Sequence, residues 1–193
     1  MPVKDVFELL RATGALKTGH FLLSSGRHSD VYVEKFDLLR QPVATSEVCT
    51  GFVERFRDER IDVVVGPTTG GILLAFETAR QMNIAAAYAE RADSGTGREL
   101  RRGTMLPSGA RVLVVDDILT TGGSVRETLD ALAKHPVEVV GIGVLVDRSA
   151  GKVQFGDIPL RALGAQVVES WAADECPLCA KGEPLVKPGT TVL

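Results

Sequence analysis

Apolar positions recur in two rhythms along this chain. Within residues 2–12, Val6, Leu9 and Leu10 fall at helical spacing, and Thr13-Gly14 stops the run. The stretch HFLLSSGRHSDVYVEK, residues 20–35, reads as extended structure around a Ser-Ser-Gly turn. Residues 43–60 carry Val48, Phe52, Val53 and Phe56, a 3.6-residue stripe that predicts a helix. IDVVVG, residues 61–66, is a short continuous β-branched run ending in Gly-Pro, the pattern of a strand buried on both faces. TTGG and the helical ILLAFETARQM follow, with a weaker strand at 85–89. RVLVVDD, residues 111–117, is the strongest strand, followed by ILTTGGS and the helical VRETLDALAKH. VEVVGIGVLVDR is a further buried strand and LRALGAQVVE a shorter one. Strands alternating with helices in this order predict an α/β fold, a mostly parallel central sheet flanked by helices on both faces. Residues 91–109 hold four glycines and mixed charges, which predicts a mobile loop, and residues 171–193 show no periodicity.

Length and composition narrow the class. At about 150 residues per domain, 193 residues make one domain, 1–193, with residues 1–40 as a small N-terminal cap or hood. The chain is 45% hydrophobic and 24% charged, ordinary for a globular protein that buries a core without staples. Its net charge of −3 argues against a nucleic-acid partner. No apolar run reaches the roughly 18 residues a membrane span needs. The opening MPVKDVFELL lacks the apolar core of a secretion signal, so the expected location is cytoplasmic. Three cysteines do not make a disulfide framework.

The chemistry concentrates in VLVVDDILTTGGS, residues 112–124. The strand delivers Asp116 and Asp117 to its carboxyl end, where open α/β sheets bind ligands. Thr120, Thr121, Gly122, Gly123 and Ser124 then open a helix. Hydroxyls, free backbone N–H groups and a helix N-terminus together make a phosphate cradle. Acids beside it would repel a bare phosphate, so they suit sugar hydroxyls or a metal-bound ligand. The expected ligand is a sugar phosphate. A plain polar turn with capping residues is the bland alternative. The nucleotide-binding loop GxxxxGK[ST] is absent, and no GxGxxG follows the first strand.

Residues 112–124 resemble the 5-phosphoribosyl-1-diphosphate (PRPP) motif of type I phosphoribosyltransferases: four apolar residues, two acids, two apolar residues, then Thr-Thr-Gly. HFLLSSGRHSDVYVEK resembles the N-terminal segment of the orotate phosphoribosyltransferases, VGPTTGGI their diphosphate loop, and VDRSAG the segment whose arginine meets orotate. The tail CPLCAKGEPLVKPG resembles one subgroup's tail. The resemblance implies transfer of phosphoribose from PRPP to orotate, with Mg²⁺ carried mainly by PRPP rather than by protein ligands, and a homodimer. It implies Asp116 and Asp117 on the ribose hydroxyls, Thr120 to Ser124 on the 5-phosphate, and Thr69 and Gly70 near the diphosphate. Arg148 would face the orotate carboxylate, which suits a planar fork. Ser25, Gly26 and Tyr32 would lie around the pyrimidine.

Well-known family members carry lysines and a histidine on the loop over the leaving group; AER…LRRG of this chain resembles one subgroup's loop and has neither between Glu90 and Gly109. It has Arg91, Arg98, Arg101 and Arg102, against Asp93 and Glu99. The expectation is that Arg91 and Arg102 take the diphosphate and that no loop side chain transfers a proton, since arginine does not release one. This loop keeps one alternative open, a PRPP- or nucleotide-binding regulator without turnover; the other is a purine phosphoribosyltransferase of the same fold, against which Arg148 and the N-terminal segment argue. Cys176-Pro177-Leu178-Cys179 is a CxxC knuckle. A structural zinc needs four ligands, and Cys49, His20, His28 and His135 are all distant in sequence. A turn in the tail is therefore the expected reading, with a zinc held within one chain and a metal shared between two chains as the alternatives. His20 and His28 lack an evident acid–base partner and read as structural.

Overall fold

A computed structural model describes residues 5–23, 25–166 and 169–188. The chain opens with α1 (Val6–Ala12), capped by the Asp5 side chain on the Phe7 N–H. The hairpin β1 (Leu16–Leu22) and β2 (His28–Val33) follows as a separate antiparallel pair. One turn of helix, α2 (Lys35–Leu39), leads to α3 (Pro42–Arg55). The main sheet is then built from β3 (Val63–Pro67), α4 (Gly70–Met82), β4 (Ala85–Arg91), β5 (Arg98–Leu100) and β6 (Arg111–Leu119). It is completed by α5 (Gly123–Leu132), β7 (Glu138–Asp147) and β8 (Leu160–Ala165). The short α6 (Pro177–Ala180) lies in the tail.

The six strands run in the order β5-β4-β3-β6-β7-β8. All neighbours are parallel except the edge strand β5, which folds back antiparallel on β4. Alternation along the central strands separates two cores. Val64, Leu113, Val115 and Leu145 join Leu10, Phe52 and Leu74 of α1, α3 and α4 on one face. Val63, Val65, Val112, Val114 and Val144 join Val125 and Leu132 of α5 on the other. This is why β3 and β6 read as unbroken apolar runs: each strand buries both faces. Among the described residues, no helix is long and apolar enough to cross a membrane.

Three elements differ from the expectation. The helix foreseen over 43–60 ends at Arg55, and Phe56, last of the apolar stripe, is its buried C-cap. The loop foreseen over 91–109 is partly ordered, with Arg91 in register with Arg98 across the β4–β5 hairpin. Lys35, read as the last residue of an extended segment, instead opens α2, because Glu34 accepts the Phe36 N–H and caps the helix.

Candidate active site

Strand β6 carries its two acids to the carboxyl edge of the sheet, and both are buried. Asp116 Oδ1 accepts the Asp117 N–H at 2.8 Å, and its Oδ2 accepts the Ser124 hydroxyl at 2.6 Å. Burial, with the Asp117 charge beside it, pushes the Asp116 carboxyl up to about 6. Asp117 Oδ1 accepts the Ile118 N–H at 2.7 Å. Its two oxygens also receive Lys35 Nζ, at 2.9 and 2.8 Å. Lys35 opens α2, so the residue just beyond the N-terminal hairpin reaches the heart of the motif.

After β6 the chain turns through Thr120 and Thr121, both exposed, to Gly122 at φ 78°. Gly122 takes the left-handed region that a side chain would resist, and it is the N-cap of α5. No side chain caps this helix, so its first N–H groups lack the side-chain acceptor that usually satisfies them. Ser124 differs from the expectation in one respect. Its hydroxyl proton is committed to Asp116, so it orients the acid instead of standing free for a phosphate.

Tyr32, Lys35, Phe36, Asp117, Thr120 and Arg148 line one cleft of about 450 Å³. Arg148 follows β7 and is tied to β6 by its N–H on the Leu119 carbonyl, 2.8 Å. Its side chain is half-buried, and burial draws its pKa below the ordinary value. Among the described residues, its guanidinium makes no hydrogen bond and no ion pair. Tyr32 packs on Phe21 with ring centroids 5.8 Å apart, and burial raises its phenol pKa. Ser25 and Gly26 sit in the exposed turn of the β1–β2 hairpin, outside the lining of this cleft.

Thr69 is the N-cap of α4 and Gly70 its first residue. A Cβ on Gly70 would lie 2.1 Å from Asp117 Oδ2, so this position holds glycine because the acid packs directly against it. Thr68 and Thr69 are joined by a cis peptide bond. Arg98, buried, donates to the Thr68 hydroxyl at 2.9 Å and to the Ala89 carbonyl at 3.1 Å, with Glu127 3.3 Å from its Nε. It therefore braces the loop before α4. Arg91 is exposed. Arg102, at φ 57°, is paired with both Glu90 oxygens at 2.9 and 3.0 Å, and Arg101 with Asp93 at 2.6 Å. Sequence reasoning missed Lys35 and the bracing role of Arg98. The only signal for Lys35 was a lone lysine closing the hood segment, Tyr-Val-Glu-Lys.

A mostly parallel sheet that presents an acid pair and a glycine–hydroxyl turn at its carboxyl edge defines a type I phosphoribosyltransferase. Residues 38–163 match the family model described as "Phosphoribosyl transferase domain". Orotate phosphoribosyltransferase of Caldanaerobacter subterraneus is 43% identical over 193 residues, covering 100% of both chains. That of Caldicellulosiruptor bescii is 44% identical over 188 residues, 97% of each. The crystal structure of orotate phosphoribosyltransferase from Aeropyrum pernix superposes with a TM-score of 0.71 at 30% identity, covering 82% of this chain and 92% of that one. The chain belongs to the orotate phosphoribosyltransferase family.

Proposed function

We propose that the cleft transfers the 5-phosphoribosyl group from PRPP to orotate, giving orotidine 5′-monophosphate and diphosphate in pyrimidine nucleotide synthesis. The observation that carries this reading is Arg148, a half-buried cation without an ion pair among the described residues, in the same cleft as Asp117. A planar fork is suited to a carboxylate, and orotate has one beside its ring. Tyr32 stands where it can cover the face of the pyrimidine, and residues 1–40 then act as a hood over the base.

In this reading the C1–O bond of PRPP breaks with its electron pair leaving on the diphosphate, and the orotate ring nitrogen bonds C1. Catalysis is electrostatic and positional. Asp116 and Asp117 hold the ribose hydroxyls and stabilise positive charge developing on the sugar. Thr120, Thr121 and the open N–H groups around Gly122 and Gly123 receive the 5-phosphate, with Ser124 holding Asp116 in place. Thr69 and Gly70 bring backbone to the diphosphate. Arg91 and Arg102 take the leaving diphosphate, Arg102 by exchanging Glu90 for it. Arginine keeps its proton, so the proton from the orotate nitrogen passes to solvent or product.

The donor set fits Mg²⁺ held mainly by substrate. Asp117 already receives Lys35 on both oxygens and Asp116 receives Ser124, which leaves little protein carboxylate for a hard cation that keeps its waters. Bound there, Mg²⁺ supplies neutralisation of diphosphate charge. Leu73 and Phe76 of α4 are exposed, Phe76 at 65%, which supports a homodimer burying this face. A cytoplasmic location follows from the metabolic role. A purine transferase and a non-catalytic regulator are not favoured, since the curated relatives are named for orotate.

The test is the absorbance decrease of orotate with PRPP and Mg²⁺. The pair of substitutions Asp116→Asn and Asp117→Asn should abolish it, and Arg102→Ala should lower kcat by about 10²-fold, as loss of a transition-state donor does. Full activity in Arg102→Ala would remove Arg102 from the diphosphate assignment.

A further inference from the structure

We propose that His20, His28, Cys176 and Cys179 bind one structural Zn²⁺ that fastens the C-terminal tail to the β1–β2 hairpin. The four side chains are separated by as many as 159 positions in sequence, yet their ligand atoms all lie within 4.8 Å of one another. His20 Nε2 is 3.0 Å from His28 Nδ1, 3.4 Å from Cys176 Sγ and 3.7 Å from Cys179 Sγ, and His28 Nδ1 is 3.3 Å from Cys179 Sγ. Tetrahedral zinc, with Zn–N about 2.0–2.1 Å and Zn–S about 2.3 Å, requires ligand–ligand edges of roughly 3.3–3.8 Å. These four separations lie close to that range, and the other two are no more than 4.8 Å.

The hydrogen-bond chemistry points the same way. His20 Nδ1 lies 2.9 Å from the Glu183 carbonyl, which can only accept, so Nδ1 carries the proton. In the neutral ring Nε2 then presents a lone pair to the other three side chains. A hydrogen bond satisfies one such contact, whereas a cation satisfies all of them together. The Glu183 carbonyl also fixes the ring's tautomer and orientation, as outer partners of metal-bound histidines do. Two thiolates cancel the charge of Zn²⁺, which suits a site where His20, His28 and Cys176 are buried. Two nitrogens and two sulfurs in a tetrahedron select zinc among common divalent ions. Four protein ligands leave no open position, so the site is structural.

The backbone is shaped for this. The β1–β2 register slips between Thr18 and Phe21, a bulge at which the consecutive residues His20 and Phe21 are both buried. The tail passes on both sides of the hairpin: Trp171 exchanges backbone hydrogen bonds with His28, and Val186 bonds to His20 and Leu22. Between them Cys176-Pro177-Leu178-Cys179 closes as a knuckle, with the Ala180 N–H on the Cys176 carbonyl and the Gly182 N–H on the Cys179 carbonyl. The same hairpin carries Tyr32. On the orotate reading, removing the metal should loosen the hood and raise the KM for orotate several-fold. The metal site itself does not depend on that reading.

The experiment uses full-length protein without a histidine tag, stripped of metal and fully reduced, and titrated with Co²⁺ and then Zn²⁺. The expected result is one equivalent of Co²⁺ giving thiolate-to-metal charge-transfer and tetrahedral d–d bands. Zn²⁺ should displace it and raise Tm, and protein as purified should carry one zinc by elemental analysis. Cys179→Ser, at the exposed edge of the cluster, should weaken the charge-transfer band and lower zinc affinity at least about 10-fold. A reduced, folded wild-type protein that gives no thiolate band with Co²⁺ would overturn the proposal. So would as-purified protein that holds no zinc and shows by intact mass a Cys176–Cys179 disulfide.

Discussion

Lys35 Nζ lies 2.9 Å from one oxygen of Asp117 and 2.8 Å from the other, joining the segment after the N-terminal hairpin to the acid pair of β6. The ammonium is also among the charges that lower the Asp116 pKa. Replacing it as Lys35→Met should leave two buried carboxylates without their cation. We expect kcat/KM to fall about 10²-fold and the acid limb of its pH profile to move to higher pH. Lower activity with an unmoved acid limb would mean that Lys35 acts on substrate alone and does not set the charge of the pair.

Asp116 gives a prediction with a definite sign. Its carboxyl titrates near 6 in the fold, raised above its ordinary 3.8 by burial and by Asp117. Between those two values the folded state binds more protons than the unfolded one. This group's contribution to stability therefore falls as pH rises through that window, and at neutral pH ionised Asp116 opposes folding by up to about 3 kcal/mol. Asp116→Asn should raise Tm at neutral pH while eliminating turnover. The gain should vanish near pH about 4, where the wild-type acid is neutral. Thermal melts of both proteins across this range check it, and an equal difference at all pH values would contradict it.

Arg148 should govern the base and not the sugar phosphate. Arg148→Ala should raise the orotate KM about 10- to 100-fold, the loss of one charge-assisted pair, with the PRPP KM nearly unchanged. Arg148→Lys should recover part of the affinity, because a point charge replaces a two-pronged fork. Steady-state kinetics with each substrate varied separates the two constants.

Gly70 tests the contact between the diphosphate loop and the acid pair. A methyl group there would meet Asp117 Oδ2 at 2.1 Å and Leu39 Cδ1 at 3.1 Å. Gly70→Ala should therefore turn the Asp117 carboxylate away from Lys35, and activity should fall at least about 10-fold. Circular dichroism should remain that of the folded protein. Undiminished activity would mean that the loop moves aside at little cost.

Much of this was legible in the sequence because local pattern and burial agree. The run Val112 to Val115 is buried on both faces, so it reads as a strand, and the acids at its end fall where the sheet opens. The Gly122 turn and the start of α5 are equally local. Lys35 was not legible as a partner of Asp117, because that contact spans 82 positions and depends on a helix of only five residues. The pairing of Arg102 with Glu90 and the burial of Arg98 depend on closure of the β4–β5 hairpin, which charged, apolar-poor sequence does not announce. The His–Cys cluster was hidden in the same way. Its cysteines looked like an isolated knuckle because the tail returns to the hairpin from more than 150 residues away.

The proposed function requires that this cleft select a base by its carboxylate. The direct measurement is kcat/KM with PRPP and Mg²⁺ for orotate beside uracil, adenine, hypoxanthine and xanthine, in wild type and in Arg148→Ala. Wild type should turn over orotate alone, and the variant should lose most of the preference over uracil. Comparable turnover of uracil or a purine by wild type, or an orotate preference untouched by loss of Arg148, would contradict it.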